Sequence, residues 1–271
     1  MEKFLFLTDL DDTLLTSDKI VSPYTKEILK KYSERGNIFA LCSGRDINST
    51  RLVYKELGLN LPGSYAIAYN GGQIFDIDNN ETVFRTGIRR ECAAEIFELA
   101  REYDIHVQTY NDTHIIAREE NECTSFYKRV IKTPLLAGPD FMNHLNVPPC
   151  KVICIELHDH EKQERFKEAA EKAFGDELSL MYSSDYYLEL IPKESGKGAS
   201  LLKLCEILGI PRENSIAAGD AGNDLSMIKA AGTGIAMING MNEVKAAADV
   251  ITETDNNHDG LALALKRILD L

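Results

Sequence analysis

The chain has 271 residues, 44% of them hydrophobic and 27% charged, and its 43 acidic against 30 basic side chains leave a formal net charge of −13. That balance argues against a nucleic-acid backbone or an anionic membrane as the main partner, because both select clustered Lys and Arg. It also disfavours an anionic substrate unless local charge reverses the field, while a length of roughly two times 150 residues suggests two domains with a sizeable core.

Residues 3–9 form a short apolar run ending in acidic and turn residues, and residues 37–42 form a second ending at Ser43-Gly44; both read as buried parallel strands. Between them Ser22-Pro23 supplies an N-cap and a first-position proline, Ile28, Leu29 and Tyr32 recur at helical spacing, and Gly36 stops the helix. This opening reads as a βαβ unit. The middle has a different grammar, with strand-like segments 82–88, 105–110, 114–118, 152–157 and 186–191 interleaved with few helices. Its clearest helices are 89–103, with Ala93, Ile96, Phe97 and Ala100 on one face, and 161–174, with Phe166, Ala169, Ala170 and Ala173. His158-Asp159-His160 lies in a polar turn and reads as a helix cap rather than a metal site. Toward the end, helix 198–208, strand 215–218, helix 224–231, strand 234–237 and helix 260–271 restore the α/β alternation.

The expected architecture is therefore a doubly wound, Rossmann-like parallel-sheet core at 1–81 and 190–271, with an inserted α+β domain at 82–189. No window approaches the ~18 apolar residues of a membrane helix, and Phe4-Leu5-Phe6-Leu7 runs straight into acids, so neither a membrane span nor a signal peptide is expected. Cys42, Cys92, Cys123, Cys150, Cys154 and Cys205 are scattered without a CxxC pair and read as free thiols of a cytoplasmic protein.

Four motifs carry chemistry. Asp9-Leu10-Asp11-Asp12-Thr13 ends the first strand, where open α/β sheets bind ligands. Residues two apart at a strand end point the same way, so Asp9 and Asp11 are expected to converge. Adjacent carboxylates repel unless one is protonated or a cation lies between them, and a hard cation such as Mg²⁺ meets that need. Gly219-Asp220-Ala221-Gly222-Asn223-Asp224 brings more acids to the same edge: Asp220 to complete a metal shell, Asp224 to ligate or to orient that shell, and Asn223 to offer an amide. Ser43-Gly44-Arg45 offers a hydroxyl and backbone N–H groups opening a helix, and Ser195-Gly196-Lys197-Gly198 places an ammonium at another helix start; both suit a phosphate. Each motif alone is an ordinary turn or cap. Together they could bring acids, hydroxyl, lysine and amide into one crevice.

In this order and spacing the four motifs resemble the haloacid dehalogenase superfamily, and more narrowly its Cof-type phosphatases with a type IIB cap. The resemblance covers the whole chain, including Tyr69-Asn70-Gly71-Gly72, which is similar to the family's turn before the cap. It implies that Asp9 is the nucleophile and Asp11 the general acid and base. It further implies Mg²⁺ on Asp9, the Asp11 backbone carbonyl and Asp220, with Asp224 behind, and a phosphate held by Ser43 and Lys197. Leu10, Gly44 and Asn223 help hold the phosphate, and Thr13 belongs to the same phosphate site, where it holds the turn rather than reacts. The implied partner is a small phosphorylated metabolite, a sugar phosphate foremost, with the protein a monomer or weak homodimer.

Asp12 departs from the pattern, standing where the family most often has Gly, and Lys193-Glu194 replaces the commoner small residues. The resemblance leaves a phosphosugar mutase as the first alternative, because phosphomannomutases share the Asp-x-Asp-x-Thr motif and a similar cap. A non-enzymatic phosphoacceptor of the receiver type is the second, disfavoured by length and by the second acid at Asp11.

Overall fold

In the computed structural model, which describes residues 2–129 and 131–271, the first apolar run becomes β1 (Leu5–Thr8), buried throughout. An irregular turn leads to α1 (Pro23–Glu34), where the Ser22 hydroxyl accepts the Thr25 amide at 3.0 Å and Pro23 opens the helix. The chain continues through β2 (Ile38–Cys42), α2 (Ile47–Leu57), β3 (Tyr65–Ala68), β4 (Gln73–Asp76) and β5 (Glu81–Arg85). Next come α3 (Arg90–Glu102), β6 (His106–Tyr110), β7 (Ile115–Ala117), α4 (Glu122–Tyr127) and β8 (Leu135–Ala137). They are followed by β9 (Val152–Ile155), α5 (His160–Phe174), β10 (Leu178–Ser184) and β11 (Tyr187–Pro192). The remainder is α6 (Lys197–Leu208), β12 (Ser215–Gly219), α7 (Leu225–Ala230), β13 (Thr233–Ala236), α8 (Asn242–Ala247), β14 (Val250–Ile251) and α9 (Gly260–Leu269). No helix among the described residues is long and apolar enough to cross a membrane.

The chain divides into two compact units, one of the residues up to Phe84 with Gly196–Leu271, the other Arg85–Ser195. The first is built on an eight-stranded sheet in the order β14-β13-β12-β1-β2-β3-β4-β5. From β14 to β3 all pairs are parallel, and β4 returns antiparallel to β3. Alternate β1 side chains are buried on opposite faces. Phe6 joins Ile28, Leu29 and Tyr32 of α1 and Leu261 and Leu265 of α9, whereas Leu5 and Leu7 join Leu201 and Leu204 of α6 and Met227 of α7. A strand that must be apolar on both faces gives the continuous apolar run seen in the sequence, and helices on both sides make the sheet doubly wound. β1 lies between β2 and β12, with Thr8 opposite Leu41 and Ala218, so the segments after three neighbouring strands leave the sheet at the same edge.

The second unit is a six-stranded sheet in the order β10-β11-β9-β6-β7-β8, antiparallel except for the parallel pair β7 and β8. Its core joins Ala93, Ile96 and Phe97 of α3 and Phe166, Ala170 and Phe174 of α5 to Val107, Val152, Cys154, Leu188 and Leu190 of the sheet. The stripe on α5 differs from the alanine-based expectation. Gln163, Phe166, Ala170 and Phe174 are buried and Ala173 is exposed, because the two phenylalanines set the face and Gln163 donates to the carbonyl oxygens of Cys154 and Tyr186. Asp159 caps α5, accepting the Lys162 amide at 2.9 Å.

The strand expected at 82–88 is shorter and belongs to the first unit's sheet as β5, while β11 runs to Pro192 within the second unit, past residue 189. All six cysteines are free thiols, and Cys123 alone among them is not fully buried.

Candidate active site

The site forms where β1, β2 and β12 end. Asp9 follows β1, its amide bonded to the Ala218 carbonyl of β12 at 3.0 Å, and its Oδ1 accepts from Lys197 Nζ at 2.5 Å. Lys197 lies in the first turn of α6 with its side chain completely buried, and donates also to Asp224 Oδ1 at 2.6 Å. The other Asp224 oxygen accepts the amides of Asp220 and Ala221 at 2.9 and 3.0 Å. The four-residue spacing in Gly219-Asp220-Ala221-Gly222-Asn223-Asp224 has this purpose: the turn folds Asp224 back under its own start. A Cβ on Gly219 would meet the Asp224 carboxyl at 2.5 Å, so only glycine fits there.

Oxygen atoms of Asp9, Asp220 and Asp224 lie within 4.8 Å of one another, the one such acidic cluster among the described residues. Three carboxylates therefore face a single ammonium. Burial pushes the Asp9 carboxyl up to about 7, outweighing the opposing pull of Lys197, with Asp224 and Asp220 adding to the rise. Burial likewise raises Asp220, although its hydrogen bond from Thr13 opposes this. Burial would push Lys197 toward neutrality, but Asp9 and Asp224 hold it above the usual lysine range. A divalent cation suits such a set of crowded oxygen donors, and Asp9 and Asp220 each keep an oxygen outside the hydrogen bonds described. Asp224 has both oxygens committed and fits the role of support behind them.

Asp11 does not join this cluster. Its carboxylate accepts from Lys19 Nζ at 2.8 Å and from the Arg45 guanidinium at 2.9 Å, and its side chain is 41% exposed. Strand alternation fails as a guide here because β1 ends at Thr8: Asp11 lies in the irregular turn Leu10–Leu14, and Asp12 after it is left-handed, with φ 57° and ψ 7°. Burial would raise the Asp11 carboxyl, but Lys19 and Arg45 more than reverse this and hold it below its ordinary value. The left-handed backbone also explains the residue at position 12. It is a conformation glycine adopts freely and aspartate tolerates better than most.

Thr13 is placed in the turn as expected, but its hydroxyl is spent on Asp220 Oδ1 at 2.6 Å, so it orients that acid and is not offered to a phosphate. Ser43 follows β2 and is buried, its Oγ accepting the Arg45 amide at 3.2 Å. The helix after it contributes less than the sequence suggests. α2 starts only at Ile47, and Asp46 caps it by accepting the Asn48 and Ser49 amides, so those N–H groups already have an anion. Leu10 is buried in the turn between Asp9 and Asp11, and Gly44 follows Ser43 in the loop after β2.

Two residues outside the expected set complete the surroundings. Asn70, left-handed at φ 53°, rests on Gly44, where a Cβ would stand 3.1 Å from its Oδ1, and accepts from Asn223 Nδ2 at 3.3 Å. Gly71 beside it has φ +104°, and a Cβ there would meet the Gly196 carbonyl oxygen at 2.2 Å, so this turn and the Lys197 loop are in direct contact. Asn239, after β13, donates to the Asp12 carbonyl at 2.8 Å and pins the turn from the other side. An Asn-Gly pair after a strand marks Asn70 in the sequence; nothing local marks Asn239.

A family model for haloacid dehalogenase-like hydrolases matches residues 6–265. The 5-amino-6-(5-phospho-D-ribitylamino)uracil phosphatase YwtE of Bacillus subtilis is 27% identical, over 96% of both chains. The solved structure of a haloacid dehalogenase-like hydrolase from Bacteroides thetaiotaomicron is 32% identical with a TM-score of 0.88, covering 98% of this chain and 100% of that one. The HAD subclass IIB sugar phosphatase BT4131 shares the fold, with a TM-score of 0.76 at 19% identity over 99% of this chain and 100% of that one. The chain therefore belongs to the haloacid dehalogenase-like hydrolases, as a phosphatase of their Cof-type branch.

Proposed function

We propose that the protein hydrolyses small phosphorylated metabolites, sugar phosphates foremost, with Mg²⁺ and through an aspartyl-phosphate on Asp9. The observation that carries this reading is the Asp9 carboxylate at the open end of β1, held at 2.5 Å by a buried lysine that is itself anchored on Asp224. The free Asp9 oxygen attacks phosphorus while the bond to the leaving alkoxide breaks, and Asp11 supplies the proton that the alkoxide takes up. Asp11, now a carboxylate, removes a proton from water as its oxygen attacks the same phosphorus. The bond to Asp9 breaks, inorganic phosphate leaves, and both acids return to their starting states.

Lys197 and Ser43, with Leu10, Gly44 and Asn223, hold the phosphoryl oxygens as charge spreads over them. Thr13 acts through Asp220. Asp9, Asp220 and the Asp11 backbone carbonyl would hold Mg²⁺, which when bound neutralises nucleophile and phosphoryl oxygens. In its contact with Lys19 and Arg45, Asp11 rests as the carboxylate that the second step needs, and it takes up a proton to serve the first. Arg45 and Lys197 also supply the local positive charge that an acidic chain needs in order to accept an anion. The inserted unit serves as a cap that chooses the leaving group, and the protein works in the cytoplasm as a monomer or weak homodimer.

The test is phosphate release from a panel of sugar phosphates and p-nitrophenyl phosphate, with Mg²⁺ or EDTA, for the native chain and Asp9→Asn. Turnover that needs both Mg²⁺ and Asp9 is expected. Stoichiometric labelling without turnover would sink the reading, and an isomerised ester in place of free phosphate would turn it toward a mutase.

A further inference from the structure

The hairpin that follows the acidic turn is secured by a loop from the other end of the chain. Within the hairpin the Thr16 amide donates to the Ile20 carbonyl and the Lys19 amide to the Thr16 carbonyl, both at 2.9 Å. The side entering it is tied down from outside: Asn256 Nδ2 donates to the Leu15 carbonyl at 2.8 Å, and the Ser17 amide donates to Asn257 Oδ1 at 2.9 Å. Asp259 holds the exit of the hairpin, accepting from the hydroxyls of Ser22 and Thr25, the latter at 3.0 Å.

The loop that makes these contacts is itself stiff. Its Asp255 accepts the Asn257 amide at 3.0 Å and contacts His258 at 2.6 Å, and Gly260 amide bonds back to the Asp255 carbonyl at 3.0 Å. A Cβ on Gly260 would lie 1.9 Å from the Thr254 carbonyl oxygen, so the chain passes too close for any other residue. At the tip of the hairpin Lys19 is left-handed, φ 59°, and reaches Asp11 Oδ1 at 2.8 Å. Its side chain is 55% exposed and has much rotamer freedom to lose, so this contact forms only if the backbone beneath it is already in place.

We propose that Asn256 and Asn257 are positioning residues for Asp11: they fix the hairpin, the hairpin fixes Lys19, and Lys19 fixes the carboxylate that serves the leaving group. The inference rests on the reading of Asp11 as acid and base. It explains why a polar loop more than two hundred residues away in sequence spends two side-chain amides on an exposed hairpin.

An ester with a poor leaving group needs a well-placed acid, whereas p-nitrophenolate departs without a proton, so the pair of substrates separates positioning from folding. For Asn256→Ala and Asn257→Ala, kcat on a sugar phosphate is expected to fall about tenfold at constant KM, with kcat on p-nitrophenyl phosphate kept within about twofold. Asn257→Asp keeps the acceptor oxygen and is expected to restore the rate. Lys19→Ala should reproduce the defect, and Lys19→Ala with Asn257→Ala should be no worse than Lys19→Ala alone. A crystal structure of Asn257→Ala should show Lys19 and Asp11 apart.

Equal losses on both esters, an unchanged or faster sugar-phosphate rate, multiplicative losses in the double variant, or an intact Lys19 to Asp11 contact would each overturn the relay. Failure of the native chain to turn over either ester would instead overturn the phosphatase reading, and the relay with it.

Discussion

Replacing Asp9 by asparagine is expected to stabilise the metal-free protein while abolishing turnover. The Asp9 side chain is 14% exposed beside Asp220 and Asp224, and its carboxyl is pushed up from 3.8 to about 7, by burial against the pull of Lys197 and then by those acids. A carboxyl raised in the folded state binds more protons there than in the unfolded chain. Stability is therefore lost as pH climbs between those two values, with a slope approaching ~1.4 kcal/mol per pH unit inside the window and none outside it. Asparagine imitates the neutral carboxyl, so the two proteins should melt together near pH 4. They should diverge toward about pH 8, where Asp9→Asn leads by up to roughly 4 kcal/mol, the pull of Lys197 being already contained in the shift. For a chain of this size each kcal/mol is worth about 2–4 °C of Tm. The assay is thermal unfolding across pH in EDTA and again in excess Mg²⁺. The ion should raise the native Tm at high pH more than that of the variant, whose ligand set has lost a charged oxygen. Equal melting temperatures at every pH, or a variant weaker than the native chain at about pH 8, would refute the claim that burial and crowded acids dominate at Asp9.

Gly71→Ala must place a Cβ 2.2 Å from the Gly196 carbonyl at φ +104°. A stability loss above about 2 kcal/mol in urea unfolding is expected, with a fall in kcat because Lys197 is the next residue; a silent substitution would contradict the close packing of the two turns. Asp12→Gly relieves a left-handed aspartate, φ 57°, and should be neutral or stabilise by up to about 1 kcal/mol with turnover retained; a destabilised variant in the same assay would show that the Asp12 side chain matters. In the inserted unit Lys151 and Glu189 form a buried ion pair at 2.9 Å, joined by the Ser183 hydroxyl at 2.8 Å. Lys151→Met should cost about 3–5 kcal/mol and the double variant with Glu189→Leu much less, because the penalty lies in stranding one buried charge; equal costs on unfolding would refute this.

Buried strands and amphipathic helices were legible where burial leaves a dense hydrophobic signal: β1, β2, β12, β13, α1, α3, α5, α6 and α9 appear within a few residues of their expected positions, whereas β3 and β4, four buried residues each, and α2 were given no bounds. β10 escaped notice because only Leu178 of its seven residues is buried, the others being half-exposed or exposed, and β8 because three residues carry no periodicity. In the site, residues whose placement follows from position at a strand end or helix start, namely Asp9, Ser43, Lys197 and Asp220, could be located directly. Asp11 and Thr13 could not, since their side chains answer to partners brought from elsewhere: Lys19 and Arg45 for the one, Asp220 for the other. Asn239 and Asn256 are fixed by contacts spanning more than two hundred residues, and no window of sequence holds both ends.

The position of β1 between β2 and β12 has a consequence for biosynthesis. β2 is made soon after β1, but β12 emerges only after the entire inserted unit has been translated. Throughout that interval β1, a strand wholly buried in the finished fold, has one unpaired side, and an exposed hydrophobic strand edge is a template for intermolecular pairing. Nascent chains stalled or truncated before residue 215 should thus be the species that aggregates and recruits chaperones, while the inserted unit, continuous in sequence, can complete its own sheet on the ribosome.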